Sequence, residues 1–209
     1  MRINNSSPIL TNNTIVYNHS DYNDSGSESG GGIDVAGTSS PKFKNNLIAK
    51  NYTGSSTTLQ NDFNLTAGSI TSNGYNLVEV STNQTWSGTD ISGVQSSLHI
   101  ANYLSGSNPQ YILLLSNSVA INAGGTGMNG SVAVPTTDQR GKTRDASPDI
   151  GAYEAIKPFF TVQPQTVTVC SATATSFTVD ADGDPLITYQ WEYCSDGYNF
   201  SGFSDGGVY

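Results

Sequence analysis

Charge is scarce in this chain: 12% of its 209 residues are Asp, Glu, Lys or Arg, against about a quarter in ordinary soluble domains. Only eight residues are basic and the net charge is −9. That balance argues against nucleic-acid binding, because phosphate contacts need a basic footprint, and against a polybasic membrane attachment. Long apolar runs are missing too. The longest, Tyr111 to Leu115, falls far short of the roughly 20 residues that a membrane-spanning helix needs. Two cysteines without a Cys-x-x-Cys pair, and two scattered histidines, give no metal-site spacing. The start, Met1-Arg2-Ile3-Asn4-Asn5, lacks the apolar stretch of a signal peptide. With a strand-like run just before Tyr209, the sequence reads as an internal piece of a longer exported protein.

Asn, Ser, Thr and Gly take the place of charge. Their side chains favour turns over helices, so the expected class is all-β. The run Asn12-Asn13-Thr14-Ile15-Val16-Tyr17-Asn18 returns as Asn45-Asn46-Leu47-Ile48-Ala49-Lys50-Asn51, about 33 residues further on, a solenoid period. A short apolar element precedes each copy (Ile9-Leu10, then Phe43). A loop and another short strand follow each (Gly30 to Val35, then Asp62 to Leu65). A degenerate third pass starts at Ile70 and includes Asn73 to Val78. Three short strands per pass predict stacked coils, with the Asn pairs turning tight corners and forming ladders between coils. A meander of hairpins is the alternative, but the polar excursion from Asn18 to Gly32 is longer than a hairpin turn. Tyr111-Ile112-Leu113-Leu114-Leu115 reads as a buried strand.

Towards residue 155 the chain carries Val119-Ala120-Ile121-Asn122-Ala123-Gly124, then Asp138-Gln139-Arg140-Gly141 with Arg144 following, then Asp149-Ile150-Gly151-Ala152-Tyr153-Glu154. This combination resembles the closing part of bacterial choice-of-anchor domains. The family's usual Ser-Pro-Ala-Ile-Asp-Ala-Gly is altered here at Val119 and Asn122. The resemblance covers about residues 1–155. It implies a right-handed parallel β-helix, with coils over 1–80 and closing coils with a cap over 81–156. Because an open β-helix end exposes unpaired backbone groups, Asp138, Arg140, Arg144, Asp149 and Glu154 are expected to organise the cap through ion pairs. A catalytic Arg/Asp site is the sharper alternative.

Lys157-Pro158 marks a boundary. After it, Phe159 to Val162, Val167 to Cys170, Phe177 to Val179 and Ile187 to Tyr193 alternate with turns, as in a sandwich. The segment 157–209 resembles the start of immunoglobulin-like repeats in secreted Bacteroidetes-type proteins, which implies that Trp191 is a core tryptophan. It would be about half of such a domain, and so poorly packed. In a regular strand Trp191 and Cys194 face opposite ways, so Cys194 is a poor partner for Cys170; a bulge leaves their bridge open. Asp180, Asp182 and Asp184 alternate as in calcium loops but lack the distal bidentate Glu, so a polar turn is the plainer reading. No cofactor is expected.

Two functions follow as expectations. One is a structural or adhesive protein, extracellular or at the cell surface, whose partner is a polysaccharide or cell-surface glycan stacked on Tyr17, Tyr22, Tyr52 or Tyr75. The other is a polysaccharide lyase or glycosidase. Its candidate residues here are Asp34, Lys50, Asp62 and Glu79, with catalytic coils upstream of the sequence in hand.

Overall fold

A computed structural model describes residues 1–21, 30–55, 59–94, 98–100, 110–170, 174–184 and 187–202. The chain divides into two compact units, Met1–Ala155 and Ile156–Tyr209. Among the described residues the class is all-β and no helix is present.

In the first unit the chain makes successive passes. The first lays down β1 (Arg2–Asn4), β2 (Ile9–Thr11), β3 (Thr14–Val16) and β4 (His19–Ser20). The second adds β5 (Ile33–Ala36), β6 (Lys42–Lys44), β7 (Leu47–Ala49) and β8 (Tyr52–Thr53). The third adds β9 (Phe63–Leu65), β10 (Thr71–Ser72) and β11 (Leu77–Val78), and a shortened fourth gives β12 (Ser81–Thr82) and β13 (Ile91–Ser92). Each pass places its strands beside those of the pass before, giving sheets β1-β5-β9-β12, β2-β6-β10 and β3-β7-β11-β13, with β4 beside β8. Every one of these pairings is parallel.

The turn between the second and third strands of a pass explains the Asn pairs. The first Asn takes the left-handed conformation, with φ 54° at Asn12 and 56° at Asn45, which Asn tolerates better than most residues. The second joins a ladder. Asn13 gives its backbone N–H and Nδ2 to Asn46 Oδ1, and Asn46 gives the same pair to Asn76 Oδ1. Asn76 gives its own to Asp90 Oδ1. A second ladder at the next corner runs Asn18 to Asn51 to Asp62.

Alternation along the strands divides their side chains between two apolar clusters. Ile3, Ile33, Val35 and Phe63 from the first sheet, Leu10 and Phe43 from the second, and Ile48 and Val78 from the third fill the space the sheets share. Trp86 joins them, meeting Phe43 and Phe63 edge-on at 5.8 and 5.1 Å. Burying each such side chain is worth about 1.5–3 kcal/mol before entropy is counted. The third sheet is apolar on its other face as well. Leu47, Ala49 and Leu77 point outward and are covered by Leu98, Ile100, Leu114, Ala120, Ile150 and Tyr153.

Residues 98–100 and 110–155 thus form a strap along the outside of the third sheet, whereas the sequence leads one to expect an end cap. The reason is the two-faced apolar character of that sheet. Tyr111–Leu115 is also not a strand: only Leu114 is buried, in a single antiparallel bridge with Ile100, and the run covers the sheet from one side. Gly151 lets the strap approach closely. Its φ is +104°, and a Cβ there would lie 2.7 Å from Thr14 Oγ1 and 3.3 Å from Leu47 Cβ.

In the second unit, β14 (Phe159–Val162) pairs antiparallel with β15 (Asp180–Asp182), and β16 (Glu192–Tyr193) with β17 (Ser201–Gly202). Trp191 is 42% exposed, so the expectation that it sits in a core is corrected. Two-stranded ribbons bury little area, and the Trp191 ring meets that of Phe177 at a centroid distance of 6.1 Å. Phe159, Phe160, Pro164 and Trp191 line an open cleft of about 330 Å³. Cys170 and Cys194 are both free thiols. Treatment of the native chain with a maleimide is expected to add two labels by mass; a doubly protected chain would show that they pair.

Candidate functional site

Lys50, Asp62 and Glu79, which are far apart in sequence, converge at the corner beside β8. Glu79 grips Lys50 twice: one carboxylate oxygen accepts from Nζ at 2.7 Å, the other from the Lys50 backbone N–H at 3.0 Å. Gln60 Nε2 then bridges the two acids, donating to Glu79 Oε2 at 2.6 Å and to Asp62 Oδ2 at 2.8 Å. Asp62 also accepts from the N–H and Nδ2 of Asn51 and from Val80 N–H. Stacking brings these groups together, since Lys50 follows β7, Asp62 precedes β9 and Glu79 follows β11. Gln60, the bridge, carries no signal in the sequence. Asp34, the fourth candidate, lies elsewhere, on the first sheet, where it meets Arg2 at 3.5 Å and accepts from Asn64 and Thr66.

The chemistry this corner can do is limited by burial. The Glu79 side chain is fully covered and Asp62 has no exposed surface, while the Lys50 side chain keeps 27%. Burial pushes Asp62 up to about 6, against the hydrogen bonds from Asn51 and Gln60, with Glu79 adding to the rise. Asp149 in the strap is likewise pushed up to about 6, chiefly by burial. An acid whose folded pKa lies above its unfolded value stabilises the fold fully below the unfolded value, and that stabilisation is lost as pH rises through about 6. The thermal midpoint is therefore expected to rise as pH falls from 7.5 to 5. Asp62→Asn should reduce that rise; a midpoint that falls over this interval would contradict it. Asp138 acts the other way at lower pH. Burial raises its pKa, but the bonds from Arg140 and from the Glu154 and Lys142 N–H groups outweigh this and hold it below the ordinary value.

The five residues expected to organise the closing segment form one network. Arg140 donates to Asp138 from Nε at 2.8 Å and to the Glu154 carbonyl at 2.6 Å, and its guanidinium lies 3.9 Å from the Tyr153 ring centre. Arg144 pairs with Glu154 at 2.8 Å and also donates to the carbonyls of Asp149 and Gly151. Asp149 accepts from the N–H groups of Asn122 and Ala155, both at 2.6 Å. All the carboxylates accept from backbone N–H groups of the strap itself.

Of the tyrosines, Tyr52 stacks on His19 at 5.2 Å across β4 and β8. Tyr17 packs with the outer apolar cluster. Tyr75 lies under Lys44 Nζ, 4.8 Å from its ring centre. Tyr22 lies outside the described residues. Asp180 and Asp182 each accept from the next backbone N–H, and Asp184 from Ile156 N–H, so the three carboxylates are spent separately. Among the described residues, no group of three or more His, Cys, Asp or Glu is placed to hold a metal ion. No helix among them is long and apolar enough to cross a membrane.

No protein-family model, curated protein or solved structure matches the chain. The functional reading therefore rests on the residues themselves.

Proposed function

We propose that residues 1–155 are consecutive coils of a right-handed parallel β-helix of the choice-of-anchor kind, followed by an immunoglobulin-like module. The protein is exported, extracellular or at the cell surface, with a structural and adhesive role. One observation carries the non-catalytic part: the carboxylates that converge are buried and already hold the chain's own N–H, Lys and Arg groups. In-register parallel pairing and the corner ladders support the coil reading. A glycan is the proposed ligand class, with the His19–Tyr52 stack as its platform, because paired rings present an apolar surface with polar edges. A glycan array probed with the chain and with Tyr52→Ala tests this. Retention by the chain and loss in the variant is the expected result; no retention by either removes the ligand and leaves a spacer.

The convergence of Lys50, Asp62 and Glu79 favours a second reading, a polysaccharide lyase with Lys50 as the base. Its test is the release of unsaturated products from acidic polysaccharides, abolished in Lys50→Ala. Absence of release by the chain counts against it.

A further inference from the structure

We propose that the outer edge of β1, β2 and β3 is a stacking face for one more parallel coil carrying asparagines opposite Asn13 and Asn18, and that this edge rejects a second copy of the chain. The inference rests on the coil reading of the first unit and goes beyond it, because it comes from the direction of the ladders.

In every rung the earlier residue donates and the later one accepts. Asn13 donates to Asn46 at 3.1 and 2.9 Å, Asn46 to Asn76 at 3.1 and 2.9 Å, and Asn76 to Asp90 at 2.9 and 3.0 Å. The second ladder runs the same way, Asn18 to Asn51 at 3.1 and 2.8 Å and Asn51 to Asp62 at 2.7 and 2.9 Å. Both ladders end on a carboxylate, which has no N–H to pass on. The backbone N–H groups of these two aspartates are spent as well, on Val80 O and Ser87 O. At the opposite end, none of the described residues donates to the side-chain oxygens of Asn13 and Asn18. An incoming coil must therefore bring donors at both corners, as Asn does.

A second copy cannot supply them. Stacked end to end, it would present Asp90 at the first corner, setting acceptor against acceptor, while at the second corner Asp62 is fully covered by the fourth pass and offers no donor. Meeting edge to edge, it would oppose the two Asn13 oxygens, since Asn13 Nδ2 is already committed to Asn46 Oδ1 and Thr11 O. Ile3 and Leu10 at this edge are only 4% and 8% exposed. Ile9, Ile15 and Val16 on the same strands are half-buried, so apolar contact adds to whatever stacks while the corner hydrogen bonds select it.

The experiment duplicates residues 8–40 in tandem within the full chain, so that an extra coil lies outermost. Three versions carry Asn, Asp or Ala at the outermost copies of positions 13 and 18. The Asn version is expected to melt several degrees above the unextended chain, the Asp version to lose that gain, and Ala to fall between. The unextended chain is expected to sediment as a monomer at all concentrations. An equal gain with Asp overturns the ladder rule while leaving the coils standing, and no gain or misfolding with Asn overturns the coil reading itself. Concentration-dependent association of the unextended chain overturns the rejection of a second copy.

Discussion

Asn46→Ala is expected to lower the thermal midpoint by about 10 °C. Asn46 is fully buried. Its side chain receives both donors of Asn13 and gives Nδ2 to Leu10 O at 2.9 Å, Lys44 O at 3.1 Å and Asn76 Oδ1 at 2.9 Å. Alanine removes all five of these bonds, each worth about 0.5–1.5 kcal/mol net, although Leu10 O keeps Asn129 Nδ2, Lys44 O keeps the Asn12 N–H and Asn76 Oδ1 keeps the Asn46 N–H. Allowing for relaxation, the loss is about 3–5 kcal/mol, and 1 kcal/mol moves the midpoint of a chain this size by about 2–4 °C. Asn13→Ala is the internal comparison. Among the described residues no donor reaches its side-chain oxygen, so its loss should be nearer about 1 kcal/mol. Melting curves followed by circular dichroism decide the matter, and equal shifts for the two variants would show that the ladder carries no special weight.

Arg144→Met is expected to release the strap while leaving the sheets intact. Arg144 and Glu154 are almost fully covered, and their contact of 2.8 Å is the charge balance of the segment. Removing one partner of a buried pair leaves the other uncompensated, typically at about 3–5 kcal/mol. Glu154 also accepts from the N–H groups of Asp145 and Asp149, so its repulsion is felt along the turn that holds Gly151 against the third sheet. Hydrogen exchange should show loss of protection at Ile150 and Gly151, whose N–H groups bond Ala120 O and Asn45 O. Amides of β9 should keep theirs. A double variant, Arg144→Met with Glu154→Leu, should recover part of the loss. Uniform loss of protection across both regions would mean that strap and sheets unfold as one.

Particular residues show what the sequence could and could not convey. The paired asparagines were legible because they recur at a fixed period and Asn is suited to both the left-handed turn and the ladder. Leu47-Ile48-Ala49 has no polar alternation, the mark of a strand buried on both faces, yet what covers it lies some hundred residues away and leaves no local trace. β13 is two residues long and too short for any periodicity to register. The convergence of Lys50, Asp62 and Glu79 depends on the length of each pass, and no local pattern encodes it. In the second unit the alternation was readable and the two ribbons formed, but Trp191 packs according to how much sheet surrounds it, and that is a matter of area.

The strap has a consequence in time. Strand partners in adjoining passes lie 14 to 33 residues apart, and such loops close at modest entropic cost. The strap's bonds to the first pass, from Asn12 to Gly151 O and from Ala152 to Thr14, span 139 and 138 residues. Local pairing is favoured to come first, so the sheets assemble with the outward row of Leu47, Leu77 and Ile91 still bare. Until the last turn is laid down, the nascent protein carries a wet hydrophobic stripe that the finished one hides, and its yield depends on how quickly its own C-terminal half arrives to cover it.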